Sequence, residues 1–170
     1  MATLIAFRFD TVGGADNALG AISMLQEHQL ITLLDAALVV WPKGKNRPTT
    51  RHVVLPSRTQ LLDSTFWGML FGLIFFVPVL DAGQRAGIDR LASALSDVGI
   101  EEKFIYQARS KLTEGTSALF VLSQDGVVDR ILDASKGEKP DLIAINLPRD
   151  EETRLRNLFG PAGALPMWRP

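Results

Sequence analysis

Ile5, Phe7 and Phe9 interleave with Ala6 and Arg8 as far as Asp10, the period-two pattern of a strand with a buried face. Thr11-Val12-Gly13-Gly14 follows as a turn. The period then changes: Ala18, Ala21, Ile22, Leu25 and Gln29 lie on or near one side of a helix over 15–28, which predicts an amphipathic element packed across a sheet. Residues 33–41 are apolar and β-rich at their end, and 49–55 are β-rich again. The loop between them, Pro42 to Pro48, is longer than a two-residue hairpin, so turn type does not set the register. Pro56 lacks a backbone donor and ends the second strand of the pair.

The pattern breaks at 64–80, STFWGMLFGLIFFVPVL, seventeen residues without a charge. As one helix it would reach roughly 25 Å, short of the roughly 30 Å hydrocarbon core of a bilayer. Pro78 shortens it further by removing a donor and clashing with the preceding turn. Gly68 and Gly72 stand four apart, as do Gly83 and Gly87 after the break, and small residues at that spacing let helix backbones approach closely. The return arm, 83–95, sets Ile88, Leu91, Ala92 and Leu95 on one side and Arg85, Asp89 and Arg90 on another, so it can pack on the first arm and meet water outside. Three destinations are open to the apolar arm: a bilayer, the chain's own core, or the same arm of another copy. The oligomer or membrane interface expected from this hairpin comprises Phe66, Trp67, Gly68, Phe71, Gly72, Phe75, Phe76, Gly83 and Gly87.

Beyond the hairpin, Phe104, Ile105, Ala108 and Leu112 give a helical side between Glu101 and Lys111, with acid at the start and base at the end as the helix dipole prefers. A strand is predicted over 117–123, a short helix over 127–137, a strand over 142–147, and a final helix that Asp150 can cap, with Leu155, Leu158 and Phe159 as its apolar stripe. The fold class expected is α+β: a ferredoxin-like split β-α-β sheet made of the first six elements, an inserted apolar helical hairpin, and a C-terminal α-β-α extension. Such a sheet leaves one face bare for dimerisation or ligand binding. One domain over 1–159, interrupted by the hairpin at 58–97, is followed by a Pro/Gly-rich tail at 160–170.

Composition narrows the chemistry. With 18 basic and 19 acidic residues the net charge is −1, which leaves no electrostatic footprint for nucleic acid. The absence of cysteine removes disulfides, thiolate nucleophiles and cysteine metal sites. The start, MATLIAFRFD, has no basic region of the signal-peptide type, so cytoplasmic residence is expected, with the cytoplasmic membrane as the alternative surface. His28 and His52 have no carboxylate at metal-motif spacing. Ser57, His52 and Asp63 could be assembled into a triad on paper, but no nucleophile-elbow pattern surrounds the serine. Gly13-Gly14 could present amides to an anion, yet the fuller glycine fingerprint is missing. No cofactor is expected. Trp41, Trp67 and Trp168 are candidate anchors, and Met167-Trp168 in the tail suggests docking on a partner protein.

The phrases FWGMLFGLIFFVPVL, LSDVGIEEKFI and TSALFVLSQD, with the strand pair before them, resemble a bacterial family of uncharacterised predicted membrane proteins, domain of unknown function 1269. The resemblance runs from about Leu34 to Phe159 and is most specific over 66–80 and Ser96-Asp97-Val98-Gly99-Ile100. It implies no reaction and no catalytic motif. The return arm departs from the family in being interrupted by Asp81, Gln84, Arg85, Asp89 and Arg90, which weakens a spanning role. The expectation is therefore a non-enzymatic homo-oligomer with a structural or accessory role. The alternatives are a membrane-associated, stress-related protein whose hairpin enters the bilayer, and a small-ligand sensor using the sheet.

Overall fold

The computed structural model describes residues 2–28, 33–53, 64–76, 93, 95–97, 99–124, 140–147 and 153. In chain order these contain strand β1 (Ala2–Phe9), helix α1 (Gly14–Glu27), β2 (Leu33–Trp41) and β3 (Thr49–His52). Helix α2 (Ser64–Phe71) runs directly into a π-helical turn (Gly72–Phe76), and α3 (Glu102–Lys111), β4 (Thr116–Gln124) and β5 (Asp141–Leu147) follow. The molecule is α+β, as the pattern of periods indicated.

The five strands form one antiparallel sheet in the order β3-β2-β4-β1-β5. β4 pairs along its whole length with β1, from Ala2↔Gln124 to Phe9↔Ser117, and on its other side with β2 as far as Trp41↔Thr116. Since β1 and β2 both run against β4, they are parallel to each other, with β4 between them and α1 as the connection.

This order differs from a ferredoxin-like sheet made of the first six elements, which would set the third strand beside the first. β4 takes that place and β3 goes to the outer edge. The reason is in the side chains. A central strand must be apolar on both sides, as Ala118-Leu119-Phe120-Val121-Leu122 is, whereas the exposed or half-buried Thr49-Thr50-Arg51-His52 suits an edge.

No face of the three central strands is bare, contrary to the sequence expectation. On one side Ile5, Phe7, Phe9, Leu38, Leu119 and Val121 meet Ala15, Ala18 and Ile22 of α1. On the other, Leu4, Ala6, Val39, Phe120 and Leu122 meet Phe66, Trp67, Leu70, Phe71 and Ile74 of the apolar arm, with Phe104, Ile105 and Ala108 of α3. Two helical layers thus sandwich one sheet. Of the return arm, only Ser93 and Leu95–Asp97 fall among the described residues; they are helical, and Leu95 is buried in the second cluster. The remainder of that arm, the expected 127–137 helix, nearly all of the last helix and the tail with Met167 and Trp168 lie outside the described residues.

Helix α1 has no side-chain cap of its own at Gly13. The fully buried Ser117 of β4 supplies one from across the fold: its Oγ accepts from Ala15 N at 3.0 Å and donates to Thr11 O at 2.6 Å. Of the two amides that Gly13-Gly14 could have offered an anion, that of Gly14 is engaged within the chain, reaching Thr11 O at 3.4 Å. Ser117→Ala removes a cap and leaves a buried amide unpaired, which should cost about 1–2 kcal/mol in urea unfolding. A loss under a few tenths would show that the hydroxyl does not hold the turn.

Candidate functional site

Asp35 is fully buried within an otherwise apolar strand. Its orientation depends on a β-bulge in β2: Leu33 pairs with Ser123 and Asp35 with Leu122, so Leu34 is an extra residue. In a strand of regular alternation Asp35, two residues on, would share Leu33's side and point at α1. The bulge turns it to the other face, beneath α2.

Three groups converge there on Asp35 Oδ1. Its neighbour's amide, Ala36 N, donates at 2.9 Å. Trp67 Nε1 of α2 donates at 3.3 Å, and His52 Nε2 of β3 lies at 2.7 Å. Because Oδ1 is already an acceptor for two N–H groups, the ring proton of His52 sits on Nε2. His52 stands opposite Ala37 in the β2–β3 ladder, on the same face, and its ring centroid is 6.4 Å from that of Trp67. Its side chain keeps 20% of its surface exposed. A carboxylate in such a place is tolerable only when paired and hydrogen-bonded, so the cluster ties the edge strand, the sheet interior and the apolar helix together.

The arm is held from a second direction. Trp67 and Phe71 pack around Phe120 of β4 at 6.4 and 5.1 Å between ring centroids, and Trp41 meets Phe75 edge-on at 5.9 Å. In the π-helical turn the carbonyls of Leu73 and Ile74 accept from the Arg109 guanidinium of α3, the latter from Nε at 3.2 Å. Within the same last turn of α3, Lys111 O accepts from Arg8 of β1 at 2.9 Å, and Arg8 also donates to Asp141 at 3.2 Å and pairs with Asp10. Trp41 is half-buried, and its indole N–H donates to Lys45 O at 2.8 Å, closing the hairpin loop.

Of the residues expected at an oligomer or membrane interface, Phe66, Trp67, Phe71 and Phe75 lie in the core of their own chain. That is one of the three destinations open to the arm. Gly68 is exposed and Gly72 half-buried; a Cβ built on either meets nothing within 4 Å among the described residues. The aromatic side of α2 therefore faces inward and its glycine side outward. The side chain of Phe76, and the whole of Gly83 and Gly87, fall outside the described residues, as do Ser57 and Asp63.

His52 is half-buried and bound to a carboxylate, but to Asp35, which sequence reading passed over. The available signal was a lone acid in the apolar run LLDAALVVW. Among the described residues no cluster of three His, Cys, Asp or Glu side chains could hold a metal, and no helix is long and apolar enough to cross a membrane.

These features define a three-layer α+β protein whose polar interior serves as cross-bracing. The family model described as protein of unknown function (DUF1269) matches residues 62–160, and the chain belongs to that family. The match begins just before α2 and extends beyond β5, so it spans the apolar layer and both strands that flank β1. No curated protein and no solved structure matches the chain.

Asp35→Ala should destabilise the protein by roughly 2–4 kcal/mol, since it leaves the Trp67 indole N–H and the Ala36 amide unpaired. A double-mutant cycle with His52→Ala should show coupling of about 0.5–3 kcal/mol; additive losses would mean that the contact carries no energy of its own. For Gly68→Ala, an open Cβ position in a helix predicts a gain of about 0.5–1 kcal/mol in the isolated chain. A loss instead, together with weakened self-association, would place another helix against that side.

Proposed function

We propose that the chain is the subunit of a homo-oligomer with a structural or accessory role and no reaction of its own. The observation that carries this reading is the contrast between the two edges of the sheet. Edge strands are normally kept from pairing with other chains by brevity, charge, proline or a bulge. β3 is four residues long, polar, and carries Arg51. β5 is seven residues long, free of proline, and pairs with β1 in unbroken register, and it exposes 38% of Leu142. One edge is guarded and the other invites a partner.

The groups with chemical potential support the non-enzymatic half of the reading. Asp35, His52, Ser117 and Arg109 are each engaged in holding elements together. The sheet is best read as a ferredoxin-like split β-α-β arrangement, with β4 as the strand between β1 and β2 and β3 added outside. The residues from 58 to 97 are read as the hairpin, its first arm serving as a core layer. The proposed location is the cytoplasm.

Static light scattering in detergent-free buffer should give a discrete mass at least twice the 18.6 kDa of one chain. A monomer persisting at tens of micromolar would defeat the proposal. In liposome flotation the protein should stay at the bottom of the gradient; rising with the vesicles would favour the membrane-associated alternative.

A further inference from the structure

β5 carries two different surfaces. Ile143, Leu147 and, in part, Ile145 pack into the cluster beneath α2 and α3, while Leu142 and Ala144 on the opposite side are exposed; α1, the described helix on that side, lies over β1, β4 and β2. Among the described residues its outer backbone edge faces no other strand of the sheet.

The sequence of this strand, DLIAINL, is also compatible with itself when reversed about its centre. An antiparallel pairing of two copies about Ala144 places Ala144 opposite Ala144, Ile143 opposite Ile145, Leu142 opposite Asn146, and Asp141 opposite Leu147. No like charges oppose each other, and Asp141 is already paired with Arg8 of its own chain. Two β-branched cross-strand pairs form on the side where each chain's core cluster reaches the edge, a favourable combination on a pleated surface. The two exposed Leu142-Ala144 rows become one apolar patch shared across the axis.

We propose that two copies of this chain associate through β5, strand to strand about a two-fold axis at Ala144, joining their sheets into one continuous ten-stranded sheet. The proposal rests on the homo-oligomer reading and names the surface through which it is built. An isologous contact of this kind closes after two subunits, so it yields a discrete particle and no filament.

The chain has no cysteine, so a single introduced thiol reports on this contact alone. Residues opposite each other on antiparallel strands have Cα atoms about 4.5–5.5 Å apart, within the range a disulfide spans. Full-length Ala144→Cys under oxidised glutathione should convert almost completely to a covalent dimer. Asn17→Cys, on the exposed side of α1, should remain largely uncrosslinked. Because Ala144 is exposed in the single chain, Ala144→Lys and Ala144→Glu should fold with unchanged circular dichroism. Each puts like charges on the axis and should dissociate alone, at least tenfold more readily on dilution, while an equimolar mixture of the two should re-form the dimer. If the wild type is oligomeric but the charge variants associate as tightly as it does, or Ala144→Cys crosslinks no better than Asn17→Cys, the β5 contact is refuted and the oligomer reading stands. A monomeric wild type would overturn both.

Discussion

A sheet that is apolar on both sides needs two covers, and the rest of this structure follows from that requirement. Consecutive residues of β4, from Ala118 to Leu122, are all buried, as are Leu4 to Phe7 of β1 and Ala36 to Val39 of β2. Helix α1 meets one side with small residues, Ala15 and Ala18, and lies close. The apolar arm meets the other with aromatic rings, and each fully buried ring contributes on the order of 1.5–3 kcal/mol relative to water. An arm that looks superfluous in the sequence is thus part of one of the two helical layers.

Once the arm is a core layer, its polar backbone and indole must be satisfied without water. The π-helical turn leaves carbonyls for Arg109, and the Trp67 N–H finds Asp35 only because Leu34 bulges out of β2. The buried acid and the irregular strand are therefore one device. Family membership rests on the same stretch: the DUF1269 match covers the arm. The apolar run that raised a bilayer as one destination packs Phe66, Trp67, Phe71 and Phe75 inside its own chain.

Local periodicity made most elements legible. The pattern over 33–41 coincides with β2, and the helical sides at 15–28 and 101–111 lie within a residue or so of α1 and α3. Strand order was not legible, because the partners of β4 lie about eighty and more than a hundred residues away and nothing local encodes the pairing. The polar character of Thr49 to His52 against the two-sided apolar character of 118–122 was the usable clue to which strand is central. The Asp35–His52–Trp67 cluster escaped because it is assembled from three elements and a bulge, and a bulge shifts the alternation on which face assignment relies. His52 was noticed in the company of Ser57 and Asp63, which lie outside the described residues, and its pairing with Asp35 was passed over.

The central position of β4 has a consequence for how the chain is made. Both β1 and β2 lean on a strand that ends at Gln124, so neither can acquire its main partner until the chain as far as Gln124 has left the ribosome. At about 5–20 residues per second, the wait from the end of β1 to the end of β4 is on the order of 6–23 seconds. Throughout that interval Phe7 and Phe9, and from their own synthesis onward the arm's aromatic rings, lack the central strand of their sheet, since such long-range pairings must bear their loop-closure entropy before any contact compensates it. Nascent chains of this protein thus have a long window in which chaperones can compete with their own last central strand.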